Sequence, residues 1–135
     1  MSGTLEMLQS QPHPMQPELL ERLATFVDSA FACAQACSTC ASACLADPDP
    51  ARLVDCITAC LDCAALCTTA ARIMCRPLSD RRRESLCALV EACAGMCELS
   101  ARECFQNEVH RPYCALCKTA CRACLDACER LLEML

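Results

Sequence analysis

Residues 33–44 read Cys33-Ala34-Gln35-Ala36-Cys37-Ser38-Thr39-Cys40-Ala41-Ser42-Ala43-Cys44. Cysteine returns at steps of four, three and four, the spacing that keeps side chains on one face of an α-helix. The same spacing recurs at Cys56, Cys60, Cys63 and Cys67. A longer run holds Cys114, Cys117, Cys121, Cys124 and Cys128, and a sparser one holds Cys87, Cys93, Cys97 and Cys104. With Cys75 these make up all 18 cysteines of the 135 residues. Each run predicts a helix with a sulfur stripe, and stripes of that kind should face one another.

Proline places the helix starts. Pro17, Pro50, Pro77 and Pro112 each precede a long proline-free segment, and proline suits the first helical position because its missing N–H would be unpaired there anyway. Asp49 and Ser79 read as N-caps. Four helices are expected over 17–46, 50–75, 79–107 and 111–134, preceded by a tail, residues 1–16, that has at most one loose helical turn. The short connections make neighbours antiparallel, so the fold class is all-α: an up-down-up-down four-helix bundle over 17–135 with a short N-terminal tail or helix. A 27-to-35-residue repeat could also suggest a solenoid, but a solenoid would leave the thiols on one exposed face.

Levels follow from the antiparallel order. Cys44, Cys56, Cys104 and Cys114 fall at one end, Cys40 level with Cys60, and Cys33 with Cys67. At the other end Leu23, Phe26, Val27, Leu131 and Met134 close the column with hydrocarbon, with Cys75 and Cys87 just inside this plug. The end carrying His110, one turn before Cys114, reads as an entrance.

Composition narrows the function. Only two glycines argue against a loop-rich metallothionein-like wrap, and aromatics at 3% leave the inner stripes small and sulfurous. A net charge of −5 disfavours nucleic acid, which requires clustered Lys and Arg. The one basic run, Arg81 to Arg83, reads as solvated helix surface. The first 17 residues hold no Lys or Arg and no apolar run of signal-peptide length, so no export is expected. No membrane span is expected either. A cytoplasmic setting follows, where thiols stay reduced.

Disulfides are disfavoured there, and bridging two cysteines on one turn of a continuous helix would strain the bond or the helix. The four C-x-x-C pairs, Cys37/Cys40, Cys60/Cys63, Cys114/Cys117 and Cys121/Cys124, leave a dithiol redox protein as one alternative. Such pairs count when they open a helix after a strand, and no strand pattern is present. No run matches an iron–sulfur spacing. Simple core packing explains one or two cysteines, not 18.

A soft metal ion remains. Zinc, or a general thiophilic-metal buffer, is the first alternative, ahead of the dithiol redox protein. Each Zn(Cys)4 unit keeps a formal charge of −2, and several stacked in a dry core are costly. Copper(I) is soft and accepts two or three thiolates. If every sulfur bridges two coppers, each Cu⁺ cancels one S⁻ and the core is neutral at any filling. That gives roughly one Cu(I) per cysteine. The candidate ligands are therefore Cys33, Cys37, Cys40, Cys44, Cys56, Cys60, Cys63, Cys67, Cys75, Cys87, Cys93, Cys97, Cys104, Cys114, Cys117, Cys121, Cys124 and Cys128, with His110 as a relay at the entrance. The candidate donor or acceptor is a copper chaperone or a small thiol.

The runs Cys33 to Cys44, Cys56 to Cys67 and Cys114 to Cys128 resemble those of the bacterial copper storage proteins, over residues 17–134. The resemblance implies a cysteine-lined four-helix bundle that fills with many Cu(I) ions, of the cytosolic branch. It further implies a homotetramer and no enzymatic turnover. In the third helix, Val90 and Ala94 lie near the stripe and make its sites the least defined.

Overall fold

A computed structural model describes residues 3–135. It is all helical among these residues: α1 (Thr4–Gln9), α2 (Pro17–Leu45), α3 (Val54–Met74), α4 (Arg83–Asn107) and α5 (Pro112–Leu132). Single 3₁₀ turns, Pro50–Leu53 and Asp80–Arg82, lead into α3 and α4. Helix α2 packs on α3 and α5, and α4 packs on α3 and α5. These four adjacent pairs close the antiparallel bundle that the sequence predicts.

The inner stripe of every long helix follows the three-four step from end to end. On α3, with its entry turn, it reads Leu53, Cys56, Cys60, Cys63, Cys67, Ala70, Met74; on α4 it reads Leu86, Val90, Cys93, Cys97, Ser100, Cys104. All are buried. Between adjacent helices the filler is alanine, with Ala30, Ala34 and Ala41 of α2 and Ala64, Ala70 and Ala71 of α3 buried. Side chains of this size hold the backbones close enough for short cysteine side chains to meet across the axis.

The ends are capped differently from expectation. Pro17 starts α2 as predicted, and the Gln16 side chain accepts the Leu19 N–H at 2.8 Å. Asp49 and Ser79 occupy N-cap positions but make no side-chain cap bond. The Asp49 N–H instead donates to Asp47 Oδ1 at 3.0 Å, and the Ser79 carbonyl accepts from Arg82 N at 3.1 Å. A 3₁₀ lead-in explains the difference, because its tighter i→i+3 bonds already use the first amides.

Residues 3–16, expected as a tail, contain a helix laid against α2. Leu8 is buried, Thr4 Oγ1 donates to Asp28 Oδ1 at 2.6 Å, and Gln11 Nε2 donates to the Cys75 carbonyl at 2.6 Å.

One segment, Pro50–Met74, is long and apolar enough to cross a bilayer by length and composition, with a mean hydropathy of 1.6, although it carries Arg52, Asp55, Asp62 and Arg72. Its apolarity is largely cysteine and alanine, and its inner face is packed into the bundle.

The far end is closed by hydrocarbon: Leu23, Phe26 and Val27 of α2, Met74 of α3, Leu86 and Val90 of α4, and Leu131 of α5 are buried, and Met134 is half-buried. Phe26 is the largest of these and is fully enclosed. Replacing it, Phe26→Ala, is expected to cost about 3–5 kcal/mol in the metal-free reduced protein, measured by chemical denaturation. The number of Cu(I) ions bound, measured by titration, should not change, because the thiols lie beyond the plug.

Candidate metal centre

Sixteen cysteines are buried and all 18 are free thiols; Cys75 and Cys87 are half-buried. The buried thiols converge on the bundle axis from all four long helices. Sulfur approaches sulfur at 3.5 Å between Cys67 and Cys93, 3.6 Å between Cys37 and Cys121, and 3.7 Å between Cys67 and Cys97. Cys33 to Cys63 and Cys60 to Cys104 are each 3.8 Å, and Cys60 to Cys117 is 3.9 Å. The separations suit metal–sulfur bonds. Bonds of about 2.3 Å place two ligand sulfurs about 3.8 Å apart in a tetrahedron and about 4.0 Å apart in a trigonal plane.

The thiols sort into levels. Cys40, Cys44, Cys56 and Cys114 form a group at the end that carries the α2–α3 and α4–α5 loops, and Cys40, Cys56, Cys60 and Cys104 form the next. Further in are Cys33, Cys37, Cys63 and Cys121, then Cys33, Cys63, Cys67 and Cys97, then Cys67, Cys93, Cys97 and Cys124. The two outer groups share members, as do the three inner ones; Cys117, 3.9 Å from Cys60 and 3.7 Å from Cys37, links the two sets into one ladder. Cys128 adjoins Cys93, Cys97 and Cys124 at its inner end. From Cys114 to Cys128 the ladder is about 21 Å long at 1.5 Å per residue.

Three of the ligand candidates that the sequence suggests lie elsewhere. Cys75 is the C-cap residue of α3, a residue past Met74 and so about 100° off the inner stripe. Cys87 is likewise one residue past Leu86, and its surroundings are Asp80, Arg83, Glu84 and Glu91. Neither makes any of the sulfur contacts above. Both positions fail the phase of their own stripes, a signal legible in the numbering. His110 sits exposed on the α4–α5 turn, one turn before Cys114, with φ at 64°. Val90 is in the plug and Ala94 is half-buried beside the stripe.

Sequence reasoning missed Ser100. It is fully buried inside the ladder, with its Oγ 3.4 Å from Cys121, 3.6 Å from Cys60 and 3.7 Å from Cys37. Its signal is the spacing Cys93-x3-Cys97-x2-Ser100-x3-Cys104, which repeats that of α2 and α3 with oxygen in the third place.

Two loops are tied together at the outer end. Arg111 Nε donates to Asp47 Oδ2 at 2.9 Å, and Tyr113 OH donates to the same oxygen at 3.4 Å. The Arg111 guanidinium holds the Asp47 carboxyl below its usual range. Burial pushes the Tyr113 hydroxyl up to about 12.

The thiols do not ionise alike. Cys104 is drawn down to about 5, chiefly by hydrogen bonding from Cys117, and Cys121 also to about 5 from the same neighbour. Cys33, Cys60 and Cys93 are drawn down by the thiols that surround them, led by Cys121, Cys104 and Cys124 respectively. At the outer end burial dominates: Cys44 is raised, and Cys114 is pushed up to about 12.

Over residues 20–133 the chain matches the family model described as copper storage protein. The chain belongs to the copper storage protein family. Its structure is similar to that of a copper storage protein from Streptomyces lividans loaded with 10 copper equivalents, at a TM-score of 0.92 and 34% identity over 98% of this chain and 99% of that one. It is also similar to the cytosolic copper storage protein of Streptomyces lividans with five coppers, at a TM-score of 0.82 and 36% identity over 85% and 95%. A variant of the Streptomyces protein with two histidines replaced by alanine matches at a TM-score of 0.81 and 36% identity over 85% and 96%. No curated relative matches by sequence.

Metal binding to a thiol expels its proton, so affinity depends on pH with a sign set by each thiol. Cys114 and Cys44 are protonated at neutral pH, and ions held there should lose about 1.4 kcal/mol of affinity per proton for each unit the pH falls. Ions held by Cys104 and Cys121 should keep their affinity until the pH nears 5. Lowering the pH from about 8 to about 6 in a chelator competition should therefore weaken the loosest ions most. In a pH-stat the first ions bound should release fewer protons per Cu(I) than the last.

Proposed function

We propose that this protein is a cytosolic Cu(I) reservoir that holds about one ion per inward-facing thiol, near sixteen per chain rather than 18. The observation that carries this reading is the ladder of buried sulfurs drawn from all four long helices, with contacts of 3.5 to 4.0 Å along most of its length. Bridged one-to-one stacking leaves such a core neutral at every stage of filling, whereas stacked Zn(Cys)4 units each retain two negative charges. The cytosolic Streptomyces relative supports the compartment. No catalytic turnover is required of this arrangement, since the four C-x-x-C pairs lie within helices with their sulfurs in the ladder. Homotetramer formation and exchange with a copper chaperone or small thiol belong to the same reading.

Cu(I) added anaerobically to reduced metal-free protein should be taken up to about sixteen equivalents. Saturation at four or fewer overturns the reservoir. Zinc bound first should be displaced by Cu(I), because thiolates favour the softer ion; retention of zinc favours the zinc buffer instead.

The entrance is the loop end, where Cys44, Cys56 and Cys114 are the outermost thiols, and His110 is a relay for ions passing through it. His110 is exposed on the turn that leads into the helix of Cys114, and imidazole is a suitable copper ligand. It also holds a left-handed backbone, which is uncommon for a residue other than glycine and clusters at functional sites. His110→Gly removes the ligand without backbone strain. It should slow copper transfer from a soluble donor several-fold while leaving capacity unchanged, as followed by stopped-flow. An unchanged rate removes His110 from the pathway.

A further inference from the structure

Among the described residues, Ser100 is the one hydroxyl buried in the sulfur ladder. In the shared three-four register the corresponding places on the other helices carry sulfur: Cys40 on α2, Cys63 on α3 and Cys124 on α5. A serine here is not a packing accident of small size alone, since alanine fills the same role elsewhere in the bundle without a polar atom. A hydroxyl in a dry core costs free energy unless it is hydrogen-bonded. Ser100 meets that need with sulfur: Cys121 Sγ–H donates to its Oγ at 3.4 Å, and Cys60 and Cys37 lie at 3.6 and 3.7 Å.

A copper–thiolate chain grows because each sulfur bridges two ions. A serine oxygen cannot substitute, because it keeps its proton at neutral pH and is hard, whereas Cu(I) selects soft ligands. The thiol contacts that pass this level use Cys37, Cys117 and Cys121, at 3.6 to 4.0 Å from one another. All three come from α2 and α5. On the α3–α4 side, sulfur ends at Cys60 and Cys104 and resumes at Cys63 and Cys97, with the hydroxyl between.

Resting on the copper-storage reading, we propose that Ser100 divides the ladder into two copper clusters that fill separately. The outer one is built around Cys40, Cys56, Cys60 and Cys104, and the inner one around Cys33, Cys63, Cys67 and Cys97. Each closes its own charge balance, because the α3–α4 half of the Ser100 level offers no bridging sulfur.

The test is anaerobic stepwise addition of Cu(I) to the reduced full-length protein, read by native mass spectrometry, with far-UV circular dichroism as the folding check. The wild type should accumulate a species about half filled before the fully loaded one. Ser100→Cys should bind about one ion more per chain and lose that species, because sulfur now bridges the gap. Ser100→Ala, which also lacks a soft donor, should retain both the species and the wild-type capacity. Full loading of the wild type without an accumulated species overturns the division, as does its persistence in a helical Ser100→Cys or its loss in Ser100→Ala. Saturation of the wild type at four ions or fewer is a different result, and it overturns the reservoir itself.

Discussion

Cys67 and Cys93 bring their sulfurs to 3.5 Å across the α3–α4 boundary, and like approaches recur along the bundle axis between helices on every side. With their protons on, the thiols pack as small weakly polar groups and cost the core little. Without protons, and without cations, the same column would be an array of buried negative charge, which is prohibitively costly. Ionisation of the column and its occupation by cations are therefore one process. The fold has to be a bundle whose helices keep their rotation, because turning any helix by one residue sends its sulfur stripe about 100° away from the axis.

That constraint organises the remainder of the molecule. Hydrocarbon closes one end, where Leu23, Phe26, Met74, Leu86, Val90 and Leu131 continue the same inner stripes past the last sulfur. The loops are gathered at the other end, where Asp47 of one connection accepts from Arg111 and Tyr113 of the other. The outermost thiols, Cys44 and Cys114, are held protonated by burial, while Cys104 and Cys121 deeper in are drawn down by hydrogen bonding from Cys117. Family membership agrees with this arrangement: the Streptomyces lividans protein that shares the fold has been seen with five and with 10 coppers.

Much of this was legible from spacing alone. The step of three and four gives Cys33 to Cys44 one face whatever the surroundings, because the helical period is a property of the backbone. The level pairings of Cys40 with Cys60 and of Cys33 with Cys67 followed from antiparallel order and short loops, and both pairs do share thiol groups. Ser100 was overlooked because it is not a cysteine, although its register is that of a ligand. Cys75 and Cys87 were included because they are cysteines, although their register is not. Helical phase, rather than chemical identity, decides which side chain reaches the axis.

The amino-acid sequence by itself determined the four long helices, their direction, the face that carries sulfur and the softness of the cargo, because these depend only on local periodicity, chain breakers and ligand chemistry. The tertiary structure alone decided that α1 docks on α2, that the Asp49 and Ser79 side chains cap nothing, that His110 adopts a left-handed backbone on an exposed turn, and that one hydroxyl stands inside a ladder of sixteen thiols. Those features depend on how far each helix slides and rotates against its neighbours, which is set by the fit of side chains distant in the chain.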